Sequence, residues 1–200
     1  KTAHTANIKL FNTPPLSLTN RYINKTYSNA TFGFGFGAGK SVYSFSNDAE
    51  LSAGIEAIYI NNSNAAGVVK RFVNVSQNFS TLNFSYDIQS YLLMAKATTV
   101  KENIFKTWGG YLNGAIGAAC NRLSNYKETY PTGSTARPML SMYKSNNQAA
   151  LAFSAGLGIS KALEHGRKLT IGYKYINSGS AKLGTTTIQQ TTQQLSSAKL

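Results

Sequence analysis

The sequence predicts an all-β protein built as an antiparallel up-and-down barrel. Two observations support this prediction. First, apolar residues alternate with glycine and small polar residues through much of the 200-residue chain, and a period of two places them on opposite faces of a strand. Second, the links between alternating segments are short and long in turn, as in barrels whose strands run up and down. The length suits a single barrel domain covering residues 1–200.

Six segments between residues 31 and 176 carry the alternation. The first sets Phe32, Phe34 and Phe36 against glycines at the intervening positions, a pattern typical of a strand and not of a helix. The predicted strands cover residues 31–43, 51–59, 82–94, 112–120, 151–160 and 169–175. Residues 1–30 are expected to form an N-terminal strand or a loop, because the alternation at 5–11 is brief. Residues 177–200 are expected to form a loop.

The links between the predicted strands fall into two classes. The short links lie at 44–48, 98–107 and 163–168, and the long polar links lie at 63–81, at 123–147 and from 177 onward. Transmembrane barrels combine short turns at one end with long loops at the other, whereas nothing requires this of a soluble β-sandwich. The order of the links therefore favours a transmembrane barrel.

The two strand faces differ in side-chain size as well as in polarity. The polar face carries glycine, serine, threonine and asparagine, and only 14% of all residues are charged, so this face suits a narrow interior better than a water-exposed surface. The apolar face, including Leu82 to Met94, is expected to point outward to lipid with aromatic residues at its ends. The aromatic residues assigned to those ends are Tyr59, Trp108, Tyr111, Tyr173 and Tyr175, and the cations placed on this face near strand ends are Lys40, Lys96, Arg122 and Lys161.

Charge and cysteine content argue against several classes of protein. The formal net charge is +13, but the basic residues are scattered, whereas a nucleic-acid-binding protein gathers them on one face. The single cysteine, Cys120, cannot form an internal disulfide or a thiolate-rich metal site. No apolar run approaches the roughly 20 residues of a membrane-spanning helix, and no phosphate-binding loop or zinc motif occurs. We therefore expect no nucleic-acid partner, no metal and no cofactor.

Four stretches rich in glycine and aromatic residues carry a resemblance to a known family. They are TFGFGFGAG at 31–39, YLNGAIGAA at 111–119, AGLGI at 155–159 and LTIGYKY at 169–175. In this pattern the chain resembles the small outer-membrane β-barrels of the opacity-protein and outer-membrane-protein-A type. The resemblance implies eight strands and a bacterial outer-membrane location. Because such barrels close with a final strand ending in Phe or Trp, the closing strand is expected to be absent from this trimmed chain, which ends at Leu200.

Three charged residues are predicted to face one another inside the barrel. Glu56 and Asp87 lie on the polar face and could pair with Lys174, and with Lys9 if the first segment is a strand. A buried charge without a partner is costly, so pairing is the physical expectation. Such a network could gate a small pore or fix the register of the strands, and the structural role is favoured.

Six basic residues in the predicted loops form a second candidate site. They are Lys70, Arg71, Lys127, Arg137, Lys144 and Lys182. Above a membrane they would face a phosphate-bearing lipid surface, where each cation near the surface gains roughly 1 kcal/mol. The expected partners are therefore outer-membrane lipid and lipopolysaccharide, together with a host or cell-surface ligand bound by the loops. Solubility alone is the competing explanation of these charges.

The sequence does not favour an enzyme. Its two histidines are His4, near the N-terminus, and His165, in a predicted short turn, so nucleophilic catalysis lacks a suitably placed base. The expected role of the monomer is structural or surface-interactive, through membrane anchoring, adhesion by the long loops, or slow diffusion through a small pore. The alternatives are an outer-membrane lipid-modifying enzyme and a soluble lipocalin-like barrel with phenylalanines around an apolar cavity.

Overall fold

The computed structural model describes residues 5–9, 19–25, 32–46, 48–71, 81–105, 108–130, 143–163 and 168–185. Within these ranges the protein is all-β, and its main antiparallel sheet is curled into a half-barrel. A helix long and apolar enough to span a membrane does not occur in the described residues. The predicted all-β, antiparallel architecture is confirmed.

Ten strands follow one another along the described chain. They are β1 Thr5–Lys9, β2 Thr19–Lys25, β3 Gly33–Ser46, β4 Ala49–Lys70, β5 Thr81–Phe105, β6 Trp108–Thr129, β7 Tyr143–Lys144, β8 Asn146–Ala162, β9 Lys168–Asn177 and β10 Gly184–Thr185. Eight of them form the main sheet in the order β1-β2-β4-β5-β6-β8-β9, with β3 also paired to β4. The short strands β7 and β10 pair with each other.

Strands β2 and β3 occupy one side of the long strand β4. Strand β3 pairs with the first part of β4, from Ser46↔Ala49 to Gly33↔Ile60, and β2 pairs with the last part, near Lys70. Because neighbouring strands are antiparallel throughout, the two outer edges formed by β3 and β9 run in opposite directions. In the described ranges these two edges carry no partner strand alongside the paired residues of β3 and β9.

The polarity of the side chains on the outer face changes at one row of paired residues that crosses the sheet. This boundary row consists of Phe34, Tyr59, Tyr91, Cys120 and Ala149, which pair in register across β3, β4, β5, β6 and β8. The lower half, from this row to the short links, comprises residues 33–46, 49–59, 91–105, 108–120, 149–162 and 168–177. The upper half comprises β1, β2 and residues 61–70, 81–90, 121–129 and 143–148.

In the lower half the outer face is apolar. Its side chains are large and exposed, with Phe36, Leu151 and Tyr173 showing about 70% or more of their surface (75%, 69% and 72%). Further exposed members of this outer band are Phe34, Ile55, Leu93, Leu112, Ile116, Phe153, Leu157, Ile159 and Ile171. The inner face of the same strands carries serine, threonine, glycine and charged residues, together with a buried apolar cluster of Leu92, Met94, Ala115, Ala119 and Ala152. The predicted outward orientation of the apolar face is found in this half on β3, β4, β6, β8 and β9, whereas the predicted apolar face of β5 points inward.

In the upper half the arrangement is reversed. Strand β5 buries Leu82, Phe84, Tyr86 and Ile88 on the inner face. These residues join an upper core whose other buried members are Tyr22, Val69, Leu123, Tyr126, Tyr143, Ala181 and Leu183. The outer positions of the same segment of β5 are polar, at Thr81, Asn83, Ser85, Asp87 and Gln89. The prediction that the apolar face of 82–94 points outward is therefore wrong, because Leu82 to Ile88 enter the upper core and Leu92 and Met94 enter a second buried cluster just below the boundary row.

The strands are longer than the sequence pattern suggested. Strand β4 continues to Lys70 and β6 to Thr129, through residues predicted to be loop, and β5 continues to Phe105 through a predicted turn. Residues 5–9 and 19–25 are also strands. Polar side chains on the outer face of the upper half gave these segments the composition of loops, although their backbones stay within the sheet.

Two residues predicted to lie on the outer face instead point inward. Lys96 lies on the inner face of β5, 3.8 Å from Glu56. Tyr111 lies on the inner face of β6, where its ring covers Gly158 of β8 and Gly172 of β9. A Cβ atom built on Gly158 would lie 2.6 Å from the Cα of Gly172 and 2.8 Å from Cε1 of Tyr111. The glycines on this face therefore provide the space that the tyrosine ring fills.

Substituting Gly158→Ala should destabilise the protein by about 1–3 kcal/mol, since the added methyl group would overpack the inner face against backbone and ring. The matched control is Gly114→Ala on β6, because a Cβ at Gly114 meets nothing within 4 Å. Urea unfolding of both variants measures the difference. Equal stability of the two variants would show that Tyr111 does not pack as described.

Candidate functional site

A carboxylate and two ammonium groups meet inside the lower half. Glu56 projects from the inner face of β4 and is buried, with 9% of its surface exposed. Lys174 on β9 donates a hydrogen bond from Nζ to Oε1 of Glu56, and Nζ of Lys96 on β5 lies 3.8 Å from the same oxygen. The curl of the sheet brings β9 across to β4, so these ion pairs bridge the interior. One carboxylate facing two lysines leaves a surplus positive charge.

The space around this inner ion network is lined by small residues. A cavity of about 500 Å³ lies between β3, β4, β5 and β9. Its wall includes the glycines of β3, the hydroxyl-bearing residues Ser52, Thr98 and Thr170, and the charged pair Glu56 and Lys96. Ser52 donates a hydrogen bond to Oε1 of Glu50, at 3.2 Å. The arrangement can hold water and fix the register of the strands.

Asp87, the third predicted member of this network, lies elsewhere. It stands on the outer face of the upper half, where its carboxylate accepts hydrogen bonds from Nδ2 of Asn64 (3.2 Å) and Nδ2 of Asn125 (2.8 Å). Its position is outward because the even-numbered residues beside it enter the upper core. The predicted grouping of Asp87 with Glu56 and Lys174 is wrong, while Glu56 and Lys174 do meet. Lys9, the conditional partner, lies in β1.

The predicted loop cations separate into three groups. Lys70, Lys127, Lys144 and Lys182 are exposed at the upper end. Arg137 lies outside the described residues. Arg71 is buried, with 8% of its surface exposed, so its predicted place on the outer surface is wrong. The reason is a buried acidic partner, Glu128 on β6, which is separated from β4 by strand β5.

Arg71 belongs to a buried polar group that the sequence analysis missed. Its Nη2 lies 2.9 Å from Oε2 of Glu128, and its Nη1 donates to Oη of Tyr130 at 3.4 Å. Tyr126 donates from its hydroxyl to Oε1 of Glu128 at 2.6 Å, and its ring packs edge-on against Tyr143 with centroids 4.8 Å apart. We call Arg71, Tyr126, Glu128, Tyr130 and Tyr143 the loop-base cluster. All five lay in segments interpreted as loops, so no alternation drew attention to them.

The cluster lies at the ends of two long connections. Arg71 directly precedes residues 72–80, while Tyr130 and Tyr143 flank residues 131–142. Tyr22 on β2 packs against Tyr143 with ring centroids 6.1 Å apart. Charge-assisted hydrogen bonds in a buried setting resist separation. The ends of these connections are thus fixed relative to one another.

Burial shifts the acidity of the tyrosines in the upper half. It raises the pKa of Tyr86 to about 12. Burial also raises the pKa of Tyr126 and of Tyr143 far above the ordinary value, and the charges of Tyr22 and Glu128 add to both rises. The pKa of Tyr22 is raised for the same leading reason. These phenols stay protonated over the ordinary pH range.

Residues after β9 turn into the interior of the upper half. Gly179 adopts a positive φ of 76°, and its N–H donates to Oδ1 of Asn177 at 2.9 Å. Nδ2 of Asn121 donates to the backbone oxygen of Ser178 at 2.8 Å. We call residues 178–183 the inner strap, since Ala181 and Leu183 are buried in the upper core. This part of the predicted 177–200 loop therefore packs inside the sheet.

The described ranges contain no group of three or more His, Cys, Asp or Glu side chains that could hold a metal ion. His4 and His165, the histidines considered for catalysis, both lie outside the described residues. Cys120 is exposed on the outer face as a free thiol. What the described residues offer is an internal ion network, a buried cluster and two surfaces of opposite polarity.

Comparison with known proteins adds no relative. No family model, no curated protein and no solved structure matches the chain. The resemblance to small outer-membrane barrels therefore stays a prediction from the residues, and function has to be argued from the geometry of the chain itself.

The variant Glu56→Gln should lose about 2–3 kcal/mol of stability. This is below the full cost of breaking a buried ion pair, because the side chains of Lys174 and Lys96 are 24% and 29% exposed. A double-mutant cycle with Lys174→Met should give a larger coupling energy than one with Lys96→Met, since only Lys174 is in direct contact. Asp87→Asn is the control, with a cost below about 1 kcal/mol. Equal coupling to both lysines would contradict this geometry.

The upper core should lose stability as the pH rises from about 10 toward 12. In that window tyrosines titrate in the unfolded chain while Tyr86, with its pKa raised to about 12, stays protonated when folded. The unfolded state is then favoured by about 1.4 kcal/mol per pH unit for each such tyrosine. Tyr86→Phe should reduce the loss of unfolding free energy per pH unit by the contribution of one tyrosine, as measured by urea unfolding at several pH values. An unchanged slope would mean that Tyr86 is not shielded from water.

Proposed function

We propose that the chain forms an outer-membrane β-barrel whose lower half lies in the lipid bilayer and whose upper half presents the long connections to water. The observation that supports this proposal is the reversal of polarity at the boundary row. Below Tyr91 and Cys120 the outer face is apolar, and above them it continues as Gln89, Arg122 and Asn147, which pair in register across three strands. A single strand thus meets an apolar surrounding along one half and water along the other.

A soluble barrel does not account for the outer band. Fully burying one large apolar side chain gains about 1.5–3 kcal/mol, and exposed apolar patches on soluble monomers rarely exceed a few hundred Å². Here Leu112, Ile116, Leu157 and Ile171 lie on adjacent strands with 58% or more of their surface exposed. A lipocalin-like barrel would turn such residues inward around a cavity. The upper half does so, and the lower half does the opposite.

The dimensions of the band suit a bilayer. From Leu151 to Ile159 the strand extends about 27 Å, and at a tilt of roughly 35–45° it spans about 19–22 Å of the roughly 25 Å apolar band of known outer-membrane barrels. Aromatic residues lie at both limits. Phe34, Tyr59 and Tyr91 are in ring contact at the upper limit, and Trp108 lies at the lower one with Nζ of Lys161 5.7 Å from its ring centroid.

The open edges of β3 and β9 fit the same proposal. Within lipid every backbone N–H and C=O must be paired, so an exposed sheet edge cannot persist there. Because β3 and β9 run in opposite directions, only an even number of additional strands closes the sheet with every pair antiparallel. Two such strands beside the six of the lower half give the eight strands expected from the sequence.

Anchoring and surface interaction are favoured over diffusion. The inner face of the upper half is covered by the upper core and the inner strap, and the ion network of Glu56 with Lys174 bridges the interior below. These contents oppose a continuous aqueous path. The loop-base cluster instead joins the described ends of two long connections, residues 72–80 and 131–142. We propose that these connections bind a cell-surface ligand, with no catalytic step.

Membrane insertion can be tested with a label at two depths on the outer face of β6. In a Cys120→Ala background, Ile116→Cys places the only thiol in the band, and Lys127→Cys places it above. After refolding into phosphatidylcholine vesicles, an environment-sensitive fluorophore at 116 should shift to the blue and be quenched by brominated acyl chains. The same fluorophore at 127 should emit as in water.

The native Trp108 provides an internal control for this experiment. It is the only tryptophan, and its place at the lower limit of the band predicts weaker quenching than for the fluorophore at 116. A chain that stays soluble without detergent, with both labels in water, would overturn the proposed function. Equal quenching at 116 and 127 would also overturn it.

A further inference from the structure

An apolar groove runs along the outer face where β3, β4 and β5 lie side by side. It has a volume of about 440 Å³ and is lined by Phe34, Phe36, Ala57, Tyr59 and Tyr91. Ala57 forms its floor, because in register it lies between Phe36 of β3 and Leu93 of β5. The small side chain between two large ones leaves the depression. The groove lies directly below the boundary row and opens onto the apolar band.

The upper end of the groove is polar. Tyr59 donates from its hydroxyl to Oδ1 of Asn61 at 3.0 Å, and the ring of Tyr91 lies against that of Tyr59, with centroids 4.9 Å apart. The phenol of Tyr91 and the amide of Asn61 are hydrogen-bond donors. Aromatic walls below and donors above suit a molecule with a long apolar tail and a carbonyl group at one end.

We propose that this groove binds one ester-linked acyl chain of a membrane phospholipid, an inference that rests on the proposed function. The groove spans β3, β4 and β5 just below the boundary row, so an acyl chain held there would continue down over the apolar band. The donors of Asn61 and Tyr91 stand at the depth where the ester carbonyls of a bilayer lie when the boundary row marks its edge. Aromatic residues at that depth are known to favour the membrane interface. The lipid is therefore held as a specific ligand, distinct from the exchanging lipids around the rest of the band.

The test uses two variants that add the same bulk at the same depth. Ala57→Phe fills the groove, whereas Ala118→Phe on β6 adds a phenyl group in the same cross-strand row, between Leu93 and Leu151, away from the groove. Protein refolded into phosphatidylcholine vesicles is extracted in mild detergent, and native mass spectrometry counts the phospholipids retained. We expect one retained phospholipid for the parent and for Ala118→Phe. For Ala57→Phe we expect a loss of about tenfold, the effect of losing contact with roughly two methylene groups.

A second variant addresses the polar end. Tyr91→Phe keeps the ring and removes the hydroxyl, so retention of ester-linked phosphatidylcholine should fall several-fold. Retention of the ether-linked analogue, which lacks the carbonyl, should not change on this substitution. An equal fall for both lipids would show that the hydroxyl does not meet an ester.

The failure of this inference can be told apart from the failure of the proposed function. If the fluorophore at 116 is not quenched by lipid, the membrane proposal fails and the lipid site fails with it. If insertion succeeds but Ala57→Phe and Ala118→Phe retain phospholipid equally, only the groove proposal is overturned. Retention of detergent alone, of lipopolysaccharide in preference to phospholipid, or of a second copy of the chain at this face would likewise overturn it.

Discussion

The alternation of side chains along each strand constrains everything else in this molecule. A period of two assigns each residue to one face, and the reversal at the boundary row decides which surrounding each face can tolerate. Strand β5 shows both arrangements: it buries Leu82, Phe84 and Tyr86 on the inner face above the row and exposes Leu93 on the outer face below it. Continuous hydrogen bonding keeps the strand intact across this change. The outer band, the upper core and the position of the loops all follow from where the reversal falls.

The interior of the lower half combines charged and apolar side chains, since Glu56 lies in register with the buried Met94 on its inner face. Small residues allow the sheet to curl closely enough for Lys174 of β9 to meet Glu56 of β4, and the glycines of β8 and β9 leave space for Tyr111. A charge at this depth is stable only with a partner. The inner ion network therefore stabilises the fold, whether or not it also has a function. In the upper half the inner strap stabilises the interior by burying Ala181 and Leu183.

The period of two was sufficient to predict the fold class and the centres of six strands, and it assigned β3, β4, β6, β8 and β9 the correct outward face. It could not show which surrounding each face meets. Residues 82–88 have the same alternation as a lipid-facing strand, yet they line a core, because the remainder of that core comes from Tyr22, Tyr126 and Leu183, which are distant in sequence. Arg71 was assigned to the surface for the same reason, since Glu128 is 57 residues away. Pairing between distant residues is what a single sequence leaves undetermined.

The two halves of the sheet are stabilised by different interactions. The upper core and the loop-base cluster depend on burial and on hydrogen bonds among protein groups, so they need no lipid to hold the ends of the long connections in place. The outer band of the lower half exposes large apolar side chains, which the proposed bilayer would remove from water. A ligand bound by the connections would therefore meet segments whose ends the loop-base cluster already holds in place, whereas insertion of the lower half would depend on lipid. Under the proposed function, this separation lets one sheet act both as a membrane anchor and as a support for the connections, with the boundary row between the two parts.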